Sequence, residues 1–346
     1  MENNKNILIV YTGGTIGMIK SPRGDYIPSP GYLSNIIKNS QLFKHTDVPN
    51  IDILEHENLI DSSNIAPYHW QKIANDIFEN YDKYDGFVIL HGTDTLAYSS
   101  SALSFMLSGL AKPVIITGAQ IPVSQLRTDG LDNILDSLLI TSNYPNIHEV
   151  CVYFSKKLFR GNRVKKVSAD AMNAFNSPDY PCIGTVNINI NIQDHFLYKN
   201  YIPRSLQVSE LQIPDIAIIN IFPGIKHEFI EQILELPLEG LIMRTYGAGN
   251  APNDKVFLNT LKKACDKGVI IVNCSSCSSG TVDMRTYSTG CDLLEMGVVS
   301  GYDMTDEAAL TKLYYLFGLG LTKNKIKQHM EEDLRGEVTI PKIPVK

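Results

Sequence analysis

Two α/β domains are what this 346-residue sequence predicts: a larger N-terminal one with a mostly parallel sheet flanked by helices, and a smaller C-terminal one. Three observations carry that prediction. Apolar runs rich in Val and Ile recur along the chain, each run closes in a cluster of Gly, Thr, Ser or Asn, and helical patterns fall between the runs. Runs that are apolar throughout, rather than alternating, are strands buried on both faces, as in a parallel sheet covered by helices. Regular strand–helix alternation places the chain in the α/β class.

Taken in order, the expected strands are 6–11, 87–91, 114–117, 150–154, 216–221, 241–244 and 269–273. The first expected helix is 66–81, where Trp70, Ile73, Ile77 and Phe78 recur at helical spacing. The second, 96–110, begins after Asp94-Thr95 and stops near Gly109 and Pro113; 129–141, 255–267 and 306–319 follow, with Gly268 as C-cap of the fourth. Between Asn187 and Pro214 the pattern dissolves into polar residues, tyrosines and two prolines. The expected organisation is a site-bearing N-terminal domain 1–197, a linker 198–213, and a domain 214–346 that contributes to a subunit interface.

Charge and composition exclude several classes. Thirty-one Lys and Arg against thirty-seven Asp and Glu leave a net charge of −6, which argues against a nucleic-acid surface over most of the chain. The polar residues 1–6 run into an apolar segment too short for a signal-peptide core, and no apolar run approaches the length of a membrane span. A cytoplasmic protein is the expectation. The six cysteines are few and irregularly spaced, so reduced thiols are expected. Only Cys274-Ser275-Ser276-Cys277 has a suggestive spacing, and without a second pair or nearby histidines it reads as small residues ending a strand, not as a metal site.

In such sheets ligands bind beyond the carboxyl ends of the strands, so the post-strand clusters carry the chemistry. The first is Thr12-Gly13-Gly14-Thr15-Ile16-Gly17. It lacks the Lys-Ser or Lys-Thr pair of a P-loop and the GxGxxG spacing of a dinucleotide site. What remains is a hydroxyl, Thr15, held beside exposed amides, which suits a nucleophile with a developing oxyanion. A second strand ends in His91-Gly92-Thr93-Asp94-Thr95, again a hydroxyl beside a carboxylate. Thr95 reads as an N-cap for the next helix; for Asp94 a capping role and a functional one coexist. Thr117-Gly118-Ala119-Gln120 ends a third strand, and Asp61-Ser62-Ser63 precedes another helix, where Ser is also an ordinary N-cap. His91 reads as a structural hydrogen-bonder rather than a base.

These clusters resemble the signature motifs of the bacterial-type L-asparaginases. The resemblance also takes in Arg160-Gly161-Asn162-Arg163, Tyr246-Gly247-Ala248-Gly249-Asn250-Ala251-Pro252 and Leu334-Arg335-Gly336-Glu337, so it covers essentially the whole chain in order. It is most similar to the cytoplasmic type I branch. The resemblance implies hydrolysis of L-asparagine to L-aspartate and ammonia with no cofactor. It implies that Thr15 attacks the side-chain amide carbon, that Thr93, Asp94 and Lys166 form a polar triad opposite, and that Asp94 pairs with the substrate α-ammonium. Ser62 and Ser63 would hold the α-carboxylate, with Ala119 also lining the substrate site. Tyr26 would ride on a mobile loop, 18–30, that closes over the site. The family pairs its subunits, Asn250 would reach the neighbour's site, and a homotetramer built as a dimer of dimers is expected. In the type I branch a second asparagine binds elsewhere; the corresponding residues here are Arg244, Cys277 and Lys165, the last standing where that branch carries a threonine.

The residues themselves support an acid with several donors, Asp94 with Ser62 and Ser63, for a substrate bearing both an ammonium and a carboxylate. Lys166 is a complication, because beside Asp94 its ammonium form is favoured and a charged lysine cannot take a proton. Either desolvation overrides that pairing or Lys166 polarises and positions Thr93. The rival readings are an enzyme that also takes glutamine, one methylene longer and hard to discriminate, a tRNA-dependent amidotransferase subunit, and a non-catalytic amino-acid sensor. Against the amidotransferase stand the acidic charge and a first strand at residue 6, which is expected to leave no room for that subunit's added N-terminal domain.

Overall fold

The structure is a computed structural model and describes residues 4–200 and 204–341. The chain divides into two compact units, Met1–Ser209 and Glu210–Lys346. The core of the first is an eight-stranded sheet in the order Ile190–Ile192, Gly184–Val186, Lys157–Arg160, Val150–Phe154, Val114–Thr117, Gly86–Leu90, Asn6–Gly13, Asn50–Ile60. From Val150–Phe154 to Asn50–Ile60 the strands pair in parallel, and the remaining three add on antiparallel. The parallel strands are the apolar runs: every residue of Gly86–Leu90, Val114–Thr117 and Val150–Phe154 is buried.

Register decides where the polar clusters go. Tyr11 pairs with Leu90, Leu90 with Thr117, and Gly13 with Ile60. Four post-strand loops, beginning at Gly14, His91, Gly118 and Asp61, therefore emerge at one edge of the sheet. Behind them run the helices Pro67–Asn80, with proline at its first turn, Leu96–Met106 and Gly130–Asn143. Leu96–Met106 is buried almost throughout although it carries four serines. Two of those hydroxyls are spent on carbonyls: Ser100 Oγ donates to Gly161 O at 2.6 Å and Ser104 Oγ to Ser100 O at 2.7 Å.

The second unit holds a four-stranded parallel sheet, Ile216–Asn220, Gly240–Thr245, Ile270–Ser275 and Val299–Ser300, each hydrogen-bonded to the next. Its helix Lys255–Asp266 opens on Asp254, whose carboxylate accepts from Phe257 N at 2.9 Å, and is followed by Gly268 at φ +89°.

The expectations missed several elements. Asn50–Ile60 is the edge strand of the large sheet, and the helices Tyr32–Asn39, His227–Glu235, Ser288–Glu295 and Lys323–Met330 also went unforeseen. The helix expected at 96–110 ends at Met106; Leu107–Ser108 instead pairs antiparallel with Gln207–Val208, inside the segment read as linker. Residues 201–203 of that segment, and 342–346 at the end of the expected second domain, lie outside the described residues. Among the described residues no helix is long and apolar enough to cross a membrane.

Candidate active site

The four loops at the sheet edge touch backbone to backbone. A Cβ on Gly14 would fall 2.3 Å from Gly92 N, and one on Gly92 would fall 2.5 Å from Ser62 Oγ. Glycine at 14 and 92 is thus a packing requirement, since only a missing side chain lets the loops close on one another. Gly14 also sits at φ +86° and donates to Ile60 O at 3.0 Å. Thr15 follows it as the first residue of a single turn, Thr15–Gly17.

Three predicted residues meet directly. Lys166 Nζ donates to Thr93 Oγ1 at 2.8 Å and to Asp94 Oδ1 at 2.7 Å. The lysine side chain is 19% exposed and the aspartate 61%, so the ammonium is sunk between its partners while the carboxylate faces outward. Nζ donating to Thr93 Oγ1 fixes the orientation of that hydroxyl. Lys166 is held there by pairing opposite Phe175, whose ring packs on Phe154 at 4.9 Å. Gln120 Nε2 ties the adjoining loop by donating to Ala169 O at 3.2 Å and Ala171 O at 3.1 Å.

Ser62 is buried and its Oγ accepts from Asp94 N at 3.2 Å. The N-cap of the short turn Ser62–Asn64 is Asp61, which accepts from Ser63 N at 3.1 Å. Neither serine caps it. Thr95 occupies the N-cap position of Leu96–Met106, but its side chain caps nothing; its hydroxyl donates to Ser62 O at 2.7 Å. This corrects the capping role read for Thr95: a tertiary acceptor wins over the local one. Ala119 is buried, and its loop is pinned by Asp129, whose carboxylate accepts from Gln120 N and Ile121 N at about 3.0 Å.

His91 is fully buried in a chain of hydrogen bonds that sequence spacing does not announce. Trp70 Nε1 donates to Ser99 Oγ at 2.9 Å, Ser99 Oγ lies 2.9 Å from His91 Nε2, and His91 Nδ1 lies 2.7 Å from Gly92 O. A carbonyl only accepts, so Nδ1 carries the proton and Nε2 accepts from the serine. Burial pushes this imidazole down to about 4, and it stays neutral near pH 7.

Tyr26 lies on a two-stranded hairpin, Met18–Lys20 with Tyr26–Pro28, where it is exposed beneath Lys20 Nζ at 5.9 Å from its ring. Beyond the hairpin, Glu55 accepts from Gly31 N at 2.6 Å and from Ser34 Oγ. Lys165 pairs opposite Asn176. Arg244, Asn250 and Cys277 belong to the second unit. Arg244 Nε faces Asp306 Oδ2 at 3.2 Å, Asn250 closes the turn back to Tyr246, and Cys277 is exposed two residues beyond its strand. Among the described residues no three His, Cys, Asp or Glu side chains gather to hold a metal.

The family model for the asparaginase N-terminal domain matches residues 6–198, and that for the glutaminase/asparaginase C-terminal domain matches 215–330. The chain belongs to the asparaginase family. As a member it is an amide hydrolase, and every quoted motif except Leu334–Glu337 falls within the matched residues. L-asparaginase 1 of Escherichia coli K12 is 45% identical to it, over 97% of this chain and 98% of that protein. The crystal structure of L-asparaginase I from Vibrio cholerae is 44% identical and superposes with a TM-score of 0.90, covering 97% of this chain and 99% of that one. The 60 kDa lysophospholipase of Mus musculus is 39% identical over 99% of this chain and 64% of its own length.

Proposed function

We propose that this asparaginase hydrolyses L-asparagine to L-aspartate and ammonia by double displacement at Thr15. The observation that carries the reading is the Lys166 ammonium lodged between Thr93 Oγ1 and Asp94 Oδ1, 2.8 and 2.7 Å away, on loops that abut the Thr15 turn. Thr15 Oγ attacks the carboxamide carbon, the C–N bond breaks as the amide nitrogen takes up the proton that Thr15 gives up and leaves as ammonia, and water hydrolyses the acyl ester to free Thr15 again. Thr93, polarised by Lys166, faces the carboxamide from the other side. In this arrangement Lys166 positions Thr93 and lends it charge, rather than acting as base.

Recognition divides along the same loops. The outward carboxylate of Asp94 takes the α-ammonium, while Ser62 and Ser63 donate to the α-carboxylate beside Ala119. Ser62 Oγ spends one lone pair on Asp94 N–H and keeps its own proton for a ligand. The hairpin bearing Tyr26 closes over the site. The same reading, supported by the resemblance to the type I branch, includes a cytoplasmic homotetramer in which Asn250 completes the neighbour's site, and an effector asparagine held near Arg244, Cys277 and Lys165.

The test is ammonia release from asparagine and from glutamine, measured separately in the parent enzyme and in Thr15→Ala, Thr93→Ala and Lys166→Met. Activity with asparagine, and a fall of at least a hundredfold in each variant, is expected. A Thr93→Ala crystal soaked with asparagine is expected to carry an ester on Thr15; an occupied site with Thr15 unmodified ends the covalent reading.

A further inference from the structure

Two hydrogen bonds of opposite sense join the loop after Ile60 to the loop after Leu90. Asp94 N donates to Ser62 Oγ at 3.2 Å, and Thr95 Oγ1 donates back to Ser62 O at 2.7 Å. Ser62 is buried and keyed against Gly92, where a Cβ would meet both its Oγ at 2.5 Å and its own Cβ at 2.7 Å. Ser62 is therefore gripped on three sides: by Gly92 through shape, by Asp94 through its hydroxyl, and by Thr95 through its carbonyl. Only the last of these grips is a side chain that faces no ligand in the reading above.

We infer that Thr95 is a positioning residue: its hydroxyl fixes the Ser62 peptide so that Ser62 and Asp94 present a matched hydroxyl and carboxylate to the two charged groups of an α-amino acid. This rests on the asparaginase reading and names the part of the site that sets substrate affinity. The physical argument is one of spacing. An α-ammonium and an α-carboxylate hang from a single carbon, so their two receptors must be held at one fixed separation. Ser62 and Asp94 lie on different loops after different strands, and no covalent neighbour relation sets that separation; the reciprocal pair through Thr95 does. The Thr93–Lys166 contact is a separate hydrogen bond in which neither Ser62 nor Thr95 takes part. Thr95 therefore governs how tightly the ground state is held more than how fast the amide is broken.

The experiment compares Thr95→Val, which keeps the shape and loses the donor, with Thr95→Ser, which keeps the donor. In Thr95→Val, KM for asparagine is expected to rise about tenfold, the effect of one lost hydrogen bond, with kcat within about twofold. Thr95→Ser is expected to return KM to within about threefold of the parent. An unchanged KM in Thr95→Val, an equal loss in both variants, or a fall in kcat with KM intact overturns the assignment. Should Thr95→Val fail to fold, Thr95→Ala takes its place; failure of both while Thr95→Ser folds shows that the hydroxyl sustains the fold and not the site, and also overturns it. A parent enzyme that releases no ammonia from asparagine sinks the asparaginase reading instead, which keeps the two failures apart.

Discussion

Lys312 Nζ and Glu337 Oε1 meet at 2.5 Å with neither side chain exposed to solvent. The lysine also donates to Met330 O at 3.1 Å and Glu332 O at 2.5 Å, and the glutamate accepts from Arg335 N at 2.6 Å and Leu334 N at 3.1 Å. The motif 334–337 therefore has a structural use: it folds residues 333–337 around a buried ion pair. Removing one partner leaves an uncompensated buried charge, so Lys312→Met or Glu337→Gln is expected to cost about 3–5 kcal/mol. Lys312→Met with Glu337→Leu is expected to recover most of that loss. Urea midpoints measure both, and a double variant no better than the singles contradicts the argument.

The same pair gives a pH dependence. Burial alone would raise the Glu337 carboxyl, but Lys312 and the backbone donors outweigh it and hold the group below its ordinary 4.5. Its contribution is then complete above pH 4.5 and lost as pH falls below that value. Burial lowers Lys312 from its ordinary 10.5 despite the partner, so the folded state resists protonation there too.

His91 adds a second acid-sensitive element in the first unit. Its imidazole falls from 6.5 to about 4 on folding, because burial disfavours the charged ring and outweighs the hydrogen bond to Gly92 O, which works the other way. Between those values the unfolded chain binds a proton that the folded one refuses, so stability declines as pH drops from 6.5 towards 4. At 1.36 kcal/mol per unit the loss is about 3 kcal/mol. Replacing His91 with Gln is expected to flatten that slope, read as the urea midpoint at each pH; an equally steep slope in the variant refutes it.

What the sequence showed and what it hid have a common physical cause. Gly86–Leu90 and Val114–Thr117 are buried on both faces, so their residue types are forced and readable. Asn50–Ile60 is an edge strand with one neighbour, and Asp52, Glu55 and Glu57 along it blur any period. Lys323–Met330 buries only Ile326 and Met330, too few to print a helical stripe. At the site, Thr93 and Asp94 stand in a post-strand motif, whereas Lys166 entered only through the family resemblance; the three lie within hydrogen-bond distance. The links from Trp70 through Ser99 to His91, and from Thr95 to Ser62, depend on which loops become neighbours, which no local spacing encodes.

The proposed effector site is testable at Arg244. Its Nε already faces Asp306 Oδ2 at 3.2 Å, so an effector carboxylate at Arg244 has to share or displace that partner. Initial rates in asparagine are expected to be sigmoid in the parent and hyperbolic in Arg244→Ala. Asp306→Asn, which weakens the competitor, is expected to shift half-activation to lower asparagine. A hyperbolic parent curve, unchanged in Arg244→Ala, removes the effector site from the account.

Tyr11 and Gly17 form a fitted pair beneath the Thr15 turn. A Cβ on Gly17 would sit 1.9 Å from Tyr11 Oη and 2.8 Å from its Cζ, so glycine is there to admit the phenol. That hydroxyl is buried and has no hydrogen-bond partner among the described residues. A buried donor left unpaired is a net cost, so Tyr11→Phe is expected to be neutral or stabilising by about 1 kcal/mol, unlike a usual core truncation. Gly17→Ala is expected to destabilise by about 1–3 kcal/mol through overpacking. Combining them deletes the atom that collides first, and the pair is expected to couple by more than about 0.5 kcal/mol in the favourable direction. Relief is partial, because the ring carbon remains close. Denaturant midpoints for the two singles and the double close the cycle, and simple additivity means that the clash is taken up by the backbone of the Thr15 turn instead of by the Tyr11 hydroxyl.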